Sequence, residues 1–189
     1  MIYEFCAENV TLLEKAMQAG ARRIELCDNL AVGGTTPSYG VTKAAVELAS
    51  NYDTTIMTMI RPRGGDFVYN DLEIAIMLED IRLTAQAGSQ GVVFGALTAD
   101  KKLDKANLEK LIAASKGMEI VFHMAFDELG DEDQLEAIDW LSQAGVTRIL
   151  TRAGVSSDAL EKRFAHYHRI LEHAKDKIEI LPGGGIGLD

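Results

Sequence analysis

The sequence predicts an α/β protein, a (β/α)8 barrel of the TIM type that here lacks its last helix and eighth strand. Three observations carry that prediction. Short apolar runs alternate with longer stretches of helical periodicity along the whole chain, the order that builds a parallel sheet. Three of the helical stretches close in the same way, with Ala-Gly directly before a strand, in "QAGARRIEL", "QAGSQGVVF" and "QAGVTRIL". Polar residues collect at the C-terminal ends of many strands rather than at one switch point, which favours a barrel over a doubly wound sheet.

In chain order the strand-sized runs are "IYEFC" (2–6), "RIELC" (23–27), "TIMTMI" (55–60), "GVVFGAL" (91–97), "EIVFHMAF" (119–126), "RILT" (148–151) and "IEIL" (178–181). Amphipathic helices lie between them. Ile74, Met77, Leu78, Ile81 and Ala85 keep helical spacing, as do Ala137, Trp140, Leu141 and Ala144, and Leu160, Phe164, Tyr167 and Leu171. Gly20, Gly88 and Gly145 suit helix C-caps, where a left-handed backbone is common. "GGTTPSYG" (33–40) reads as a β-α loop with Thr36 as N-cap and Pro37 at the first helical position. His166, His168 and His173 fall on one late helix, and because residues two apart do not face each other they read as a solvated face rather than a metal cluster.

The last residues, "LPGGGIGLD", form a glycine-rich turn after the seventh strand, where barrels often hold a phosphate. Nothing follows to supply a seventh helix and an eighth strand. The expected organisation is therefore one barrel domain over residues 1–189, incomplete at its C-terminal end, with strands one and seven as unpaired edges. A second copy of the chain in a homo-oligomer, or another segment, would cover them.

Composition narrows the function classes. The 189 residues are 47% hydrophobic and 25% charged, ordinary for one globular domain. A formal net charge of −10 argues against a nucleic-acid partner, which needs a basic face. The apolar runs are far shorter than the roughly 20 residues of a membrane span. The N-terminus shows no basic region with a cleavage site, and two cysteines are too few for a disulfide scaffold. The expectation is a cytoplasmic protein with reduced thiols and no membrane partner.

Strand parity points to a site. Side chains alternate along a strand, and the larger apolar set should face the helices outside. That turns Glu4, Cys6, Glu25 and Cys27 inward, with Cys6 and Cys27 ending neighbouring strands about 4.8 Å apart. Buried carboxylates need partners. Arg61, which shares the parity of Met57 and Met59, is the candidate to balance Glu4 and Glu25. His123 and Asp127 follow at the end of strand five. Glu25, Arg61, His123 and Asp127 thus form a candidate catalytic set at the barrel mouth, with a buried ion network as the plainer alternative. The two thiols read either as small buried hydrophobes or as soft ligands for Cu(I), since zinc would ask for four ligands. In "MIRPRGGDF" (59–67), Arg61 and Arg63 stand beside two glycines in an otherwise acidic chain. With the backbone N–H groups of Gly183, Gly184 and Gly185 they make a candidate anion site.

Six ordered strings, "RIELCDNLAVGGTTPSYG", "MIRPRGGDFVYN", "GVVFGALTAD", "FHMAFD", "RILTRAG" and "LPGGGI", resemble the CutC copper-homeostasis family from residue 2 to the end of the chain. The resemblance implies a TIM-type barrel, a cytoplasmic location and a role in copper homeostasis. It also implies that Cys6 and Cys27, which match the family's two proposed ligands, carry Cu(I). Met124 stands where the family commonly has an arginine, and adds a soft sulfur to strand five. Family members usually continue past the PGGGI motif. Two functions of different class follow. One is a copper-binding protein. The other is an enzyme that holds a small anionic, phosphorylated metabolite with Arg61, Arg63 and the glycines, and uses Glu25 or His123 as acid or base.

Overall fold

The computed structural model describes residues 2–154 and 160–184. Seven strands, β1 (Glu4–Glu8), β2 (Arg23–Cys27), β3 (Thr55–Met59), β4 (Gly91–Phe94), β5 (Glu119–Phe122), β6 (Arg148–Thr151) and β7 (Glu179–Pro182), alternate with helices. The helices are α1 (Leu13–Gln18), α2 (Tyr39–Ala49), α3 (Asp71–Ala87), α4 (Lys105–Ala114), α5 (Asp131–Ala144) and α6 (Leu160–Ala174). The strands pair in sequence order, every pair parallel. Among the described residues β1 and β7 are the free edges of this TIM-type sheet.

Alternation along each strand divides the molecule into shells. Ile24 and Leu26 of β2, with Ala7 and Ile56, face α1 and α2. Val92, Phe94, Ile120, Phe122 and Ile149 face the later helices. The opposite parity forms a separate inner cluster: Cys27, Met57, Met59, Val93 and Val121, with Leu150 against them. Side chains from β2 through β6 meet in that one cluster, as they do when a sheet curls on itself. The inner face also carries charge at its N-terminal end. Arg23 pairs with Glu4 across β1 and β2, and Arg148 pairs with Glu119 and, at 3.0 Å, with Glu179. These pairs form a floor under the inner cluster. Glu4 is therefore neutralised by Arg23 and not by Arg61, as parity had suggested.

Local chemistry explains the element ends. Gly88 and Gly145 cap α3 and α5 with φ of 89° and 91°, as the repeated Ala-Gly junctions predicted. Gly20, also left-handed, stands one residue beyond the cap of α1, which is Ala19. Helix α2 starts later than expected. Ser38 is its N-cap and accepts from the Val41 amide, while Thr36 instead bonds to both the amide and the carbonyl of Arg61. Strand β5 ends at Phe122, four residues short of the apolar run. Beyond it His123 Nδ1 accepts the Ala125 amide and the chain winds into a 3-10 turn, Met124–Glu128. The late histidines divide by face. His166 and His173 are half-buried against α5, on Gln134 and Asp139, so only His168 fits the expected solvated face.

Gly91 tests the packing of the inner shell. A Cβ there would lie 2.8 Å from the Glu119 carbonyl oxygen and closer still to the Met57 side chain. The methionine can move but the neighbouring backbone cannot. Gly91→Ala should cost about 1–3 kcal/mol by overpacking, read as a lower urea midpoint with an unchanged slope.

Candidate metal centre and barrel mouth

The edge position of β1 shapes the first part of the site. Cys6 pairs in register with Glu25, and Glu8 with Cys27. Cys6 lies on the free-edge strand and is exposed, whereas Cys27, covered by β3 and the following loop, is buried. A Cβ on Gly34 would sit 3.1 Å from the Cys27 sulfur and 3.7 Å from the Met59 methyl, so this loop closes down on both. The Sγ atoms of Cys6 and Cys27 and a carboxyl oxygen of Glu25 all lie within 4.8 Å of one another.

Burial decides the protonation of the three. It pushes the Glu25 acid well above the usual carboxylate range, with the charges of Cys6 and Glu4 adding to the effect. A neutral Glu25 can donate to Cys6. The Cys27 thiol donates to the same sulfur and, against the opposing cost of burial and with help from Glu25, draws the Cys6 thiol down to about 7. That hydrogen bond, and then burial, push the Cys27 thiol up. One negative charge on Cys6, shared by two donors, is the arrangement favoured near neutral pH. Two sulfurs and one carboxyl oxygen suit a soft monovalent ion better than zinc, which would need a fourth ligand, or magnesium, which prefers oxygen.

Arg61 follows β3, on the other side of the Gly33-Gly34 turn from Cys27, and is 4% exposed. Its Nη1 donates to the carbonyls of Val32 and Gly34 at 2.9 and 3.0 Å, and its Nη2 to that of Gly65 at 2.7 Å. The guanidinium rests on the Phe67 ring at 4.8 Å. The cation thus fastens the loops after β2 and β3, and no ion pair joins it to Glu25. Arg63 is committed too. It meets Glu73 at 2.5 Å, Asp66 at 3.0 Å and the carbonyls of Gly64, Asp66 and Val68. Glu73 also closes the capping box of α3 with Asn70, so Arg63 ties the loop to the helix start.

His123 follows β5 and continues its inward parity. Gly95 makes room for it, since a Cβ there would stand 2.7 Å from the imidazole. Burial first, then the charge of Arg61, lowers His123 to about 3, so the ring is neutral at physiological pH. Asp127 belongs to the 3-10 turn. It accepts from Thr151 Oγ1 at 2.5 Å and from the Arg152 amide at 3.1 Å, and burial raises its acid above the ordinary range. The structure therefore gathers Glu25 with the cysteines and Arg61 with His123, while Asp127 is bound to the turn after β6. Gly183 donates its amide to the Thr151 carbonyl, and Gly184 is left-handed beside Arg152. Gly185 lies outside the described residues. Met124 accepts from Arg152 at 3.3 Å, which turns its sulfur toward β6. Met59 is the methionine beside Cys27.

Sequence reasoning missed three residues here. Arg23 shares the parity of Glu25 and Cys27 in "RIELC", so its inward position could have been read. Phe67 and Tyr69 lie in a loop with no period; they fall within the string "MIRPRGGDFVYN", but no spacing gives either a role.

A curled parallel sheet with two thiols and a carboxyl gathered at its mouth defines a TIM-type barrel protein with a candidate metal centre. Within that class the chain belongs to the CutC family, whose model matches residues 1–189. It is 51% identical to a family protein CutC of Enterococcus faecalis, over all of this chain and 90% of that protein. It is 42% identical to the human copper homeostasis protein cutC homolog, over 98% of this chain and 65% of that protein. A crystal structure of a copper homeostasis protein CutC from Streptococcus agalactiae superposes with a TM-score of 0.94 at 45% identity, covering 98% of this chain and 89% of that one. A deoxyribose phosphate aldolase from Aeropyrum pernix superposes with a TM-score of 0.70 at 14% identity over 98% of this chain and 76% of that one, a likeness of fold alone. No helix among the described residues is long and apolar enough to cross a membrane.

Two measurements check the electrostatics. Iodoacetamide should alkylate Cys6 with a midpoint near pH 7 and spare Cys27 in the native protein. A midpoint at the ordinary value of about 8.5 would contradict the hydrogen-bonded thiolate. Unfolded histidine titrates near 6.5 and folded His123 near 3, so between these values the unfolded chain binds one more proton. The stability that His123 contributes is complete above pH 6.5 and is lost as pH falls toward 3. His123→Gln should flatten that limb of a plot of urea midpoint against pH.

Proposed function

We propose that this chain binds Cu(I) through Cys6 and Cys27 and serves copper homeostasis in the reducing cytoplasm. The observation that carries the reading is the approach of two thiols and the Glu25 carboxyl to within 4.8 Å of one another. The names of the human and streptococcal relatives support it. So does the free state of both cysteines, which suits a reducing compartment.

The residues divide the work by exposure. Cys6 is the entry ligand, because it is exposed and already inclined to the thiolate. Cys27 is the closing ligand, and it must release its proton as the ion arrives. Glu25 loses its acceptor when the Cys6 sulfur is occupied, and its neutral form avoids a third negative charge beside two thiolates. Met59 supplies a polarizable wall next to Cys27.

An anaerobic Cu(I) titration against a chromogenic competitor, with reduced protein, tests the proposal. One ion per chain should be taken up, with release of protons that increases as pH falls from 8 toward the Cys6 value of about 7. Replacing both cysteines by serine should abolish the uptake. Unchanged affinity in that variant would sink the idea.

A further inference from the structure

Three buried polar atoms around Arg61 have no hydrogen-bond partner: Arg61 Nε, the Tyr69 hydroxyl and His123 Nε2. Their residues are 4%, 7% and 3% exposed. Such atoms are rare in native proteins and call for an explanation. They also share one locality. Phe67 lies 4.8 Å from the Arg61 guanidinium and 4.8 Å from the His123 ring, and the Arg61 charge is felt at His123. The Tyr69 phenol is close enough to Arg61 to feel both its charge and its hydrogen-bonding groups.

All three atoms can donate. His123 Nδ1 accepts the Ala125 amide at 3.2 Å, so the single proton of the neutral ring sits on Nε2. Arg61 Nε always carries a proton, and its Nη groups are already held by loop carbonyls. The phenol is neutral, burial having raised it to about 12. The nearby acids Asp66 and Glu73 are drawn to Arg63 and make no hydrogen bond to these three atoms. Two N–H donors, one of them on a full positive charge, and a hydroxyl free to donate beside them are therefore left without a hydrogen-bond partner.

We propose that Arg61, Tyr69 and His123 form a binding site for an anionic oxygen of a small acid, carboxylic or phosphoric, at the barrel mouth. The two Nη groups of Arg61 are engaged, so the site holds its ligand through separate single hydrogen bonds and not through a guanidinium fork. Arg61 keeps the anion-binding part that the sequence suggested. His123 is a neutral donor here and not an acid or base. Arg63 acts indirectly by holding the loop that bears Phe67 and Tyr69. This inference does not depend on the copper reading. It concerns other side chains and is tested without copper.

The test uses the full chain with 15N-labelled histidine, in copper-free buffer. Inorganic phosphate and pyruvate are titrated separately while the His123 Nε2–H resonance and the melting temperature are followed. A saturable shift of that resonance, with a rise in melting temperature, is expected from at least one of them. Pyruvate acting alone would identify a carboxylate, and phosphate acting alone a phosphoryl group. Tyr69→Phe keeps the ring and removes one donor, and should weaken binding about tenfold, the ratio expected for one hydrogen bond to a charged group. An unmoved resonance with both anions, the result if water alone satisfies the donors, would overturn the site. Undiminished binding by Tyr69→Phe would overturn it equally.

Discussion

The strict alternation of side chains along parallel strands is the constraint on which the rest of this molecule depends. Each strand hands every second residue to the inside of the curl. In β1 and β2 those residues are Glu4, Cys6, Arg23, Glu25 and Cys27, so one wall of the interior is polar by construction. The chain resolves this by height. Near the N-terminal ends the charges are matched, Arg23 with Glu4 and Arg148 with Glu119 and Glu179. Between floor and mouth lie Met57, Val93, Val121 and Leu150, apolar on every strand they come from. Apart from Arg148 Nε, which lies in an ion pair with Glu179 at 3.0 Å, the buried polar atoms without a hydrogen bond belong to Glu25, Arg61, Tyr69 and His123, above that floor. The division between a satisfied floor and an unsatisfied mouth is what a barrel enzyme or binding protein requires.

Strand parity is a local property, and so the sequence revealed it well. Periodicity, the Ala-Gly junctions and the inward turn of Glu4, Cys6, Glu25 and Cys27 all rest on residues within one element. What depends on distant partners was harder to read. Arg61 was assigned to the inward carboxylates on parity alone. Its side chain instead bends toward the carbonyls of Val32, Gly34 and Gly65, because a loop that must close over Cys27 leaves those oxygens in need of donors. The end of β5 failed for a similar reason. The apolar run continues to Phe126, yet His123 bonds to the Ala125 amide and ends the strand. Tyr69 and Phe67 become meaningful only beside Arg61, and no spacing announces that.

The two halves of the mouth differ in the chemistry they favour. On the β1–β2 side, low-lying sulfur and a neutral acid suit a soft cation. On the β3–β5 side, a fixed cation and two neutral donors suit an oxygen anion. The two halves meet at Gly34, which packs on Cys27 and gives its carbonyl to Arg61, and the family resemblance speaks only to the first. The arginine-glycine loop that looked out of place in an acidic chain thus has a structural reason of its own. Arg63 ties it to the capping box of α3, and Arg61 ties it to the preceding loop.

That last tie has a mechanical consequence. Loops on a barrel rim usually vary and move one at a time, which lets one scaffold acquire new specificities by local change. Here a single guanidinium grips two successive loops by three carbonyl oxygens, and Thr36 grips the Arg61 backbone in return. The segments after β2 and β3 are thereby tied into one piece. Lengthening either would pull on both, so this quarter of the rim is closed to the piecemeal loop exchange open to its neighbours.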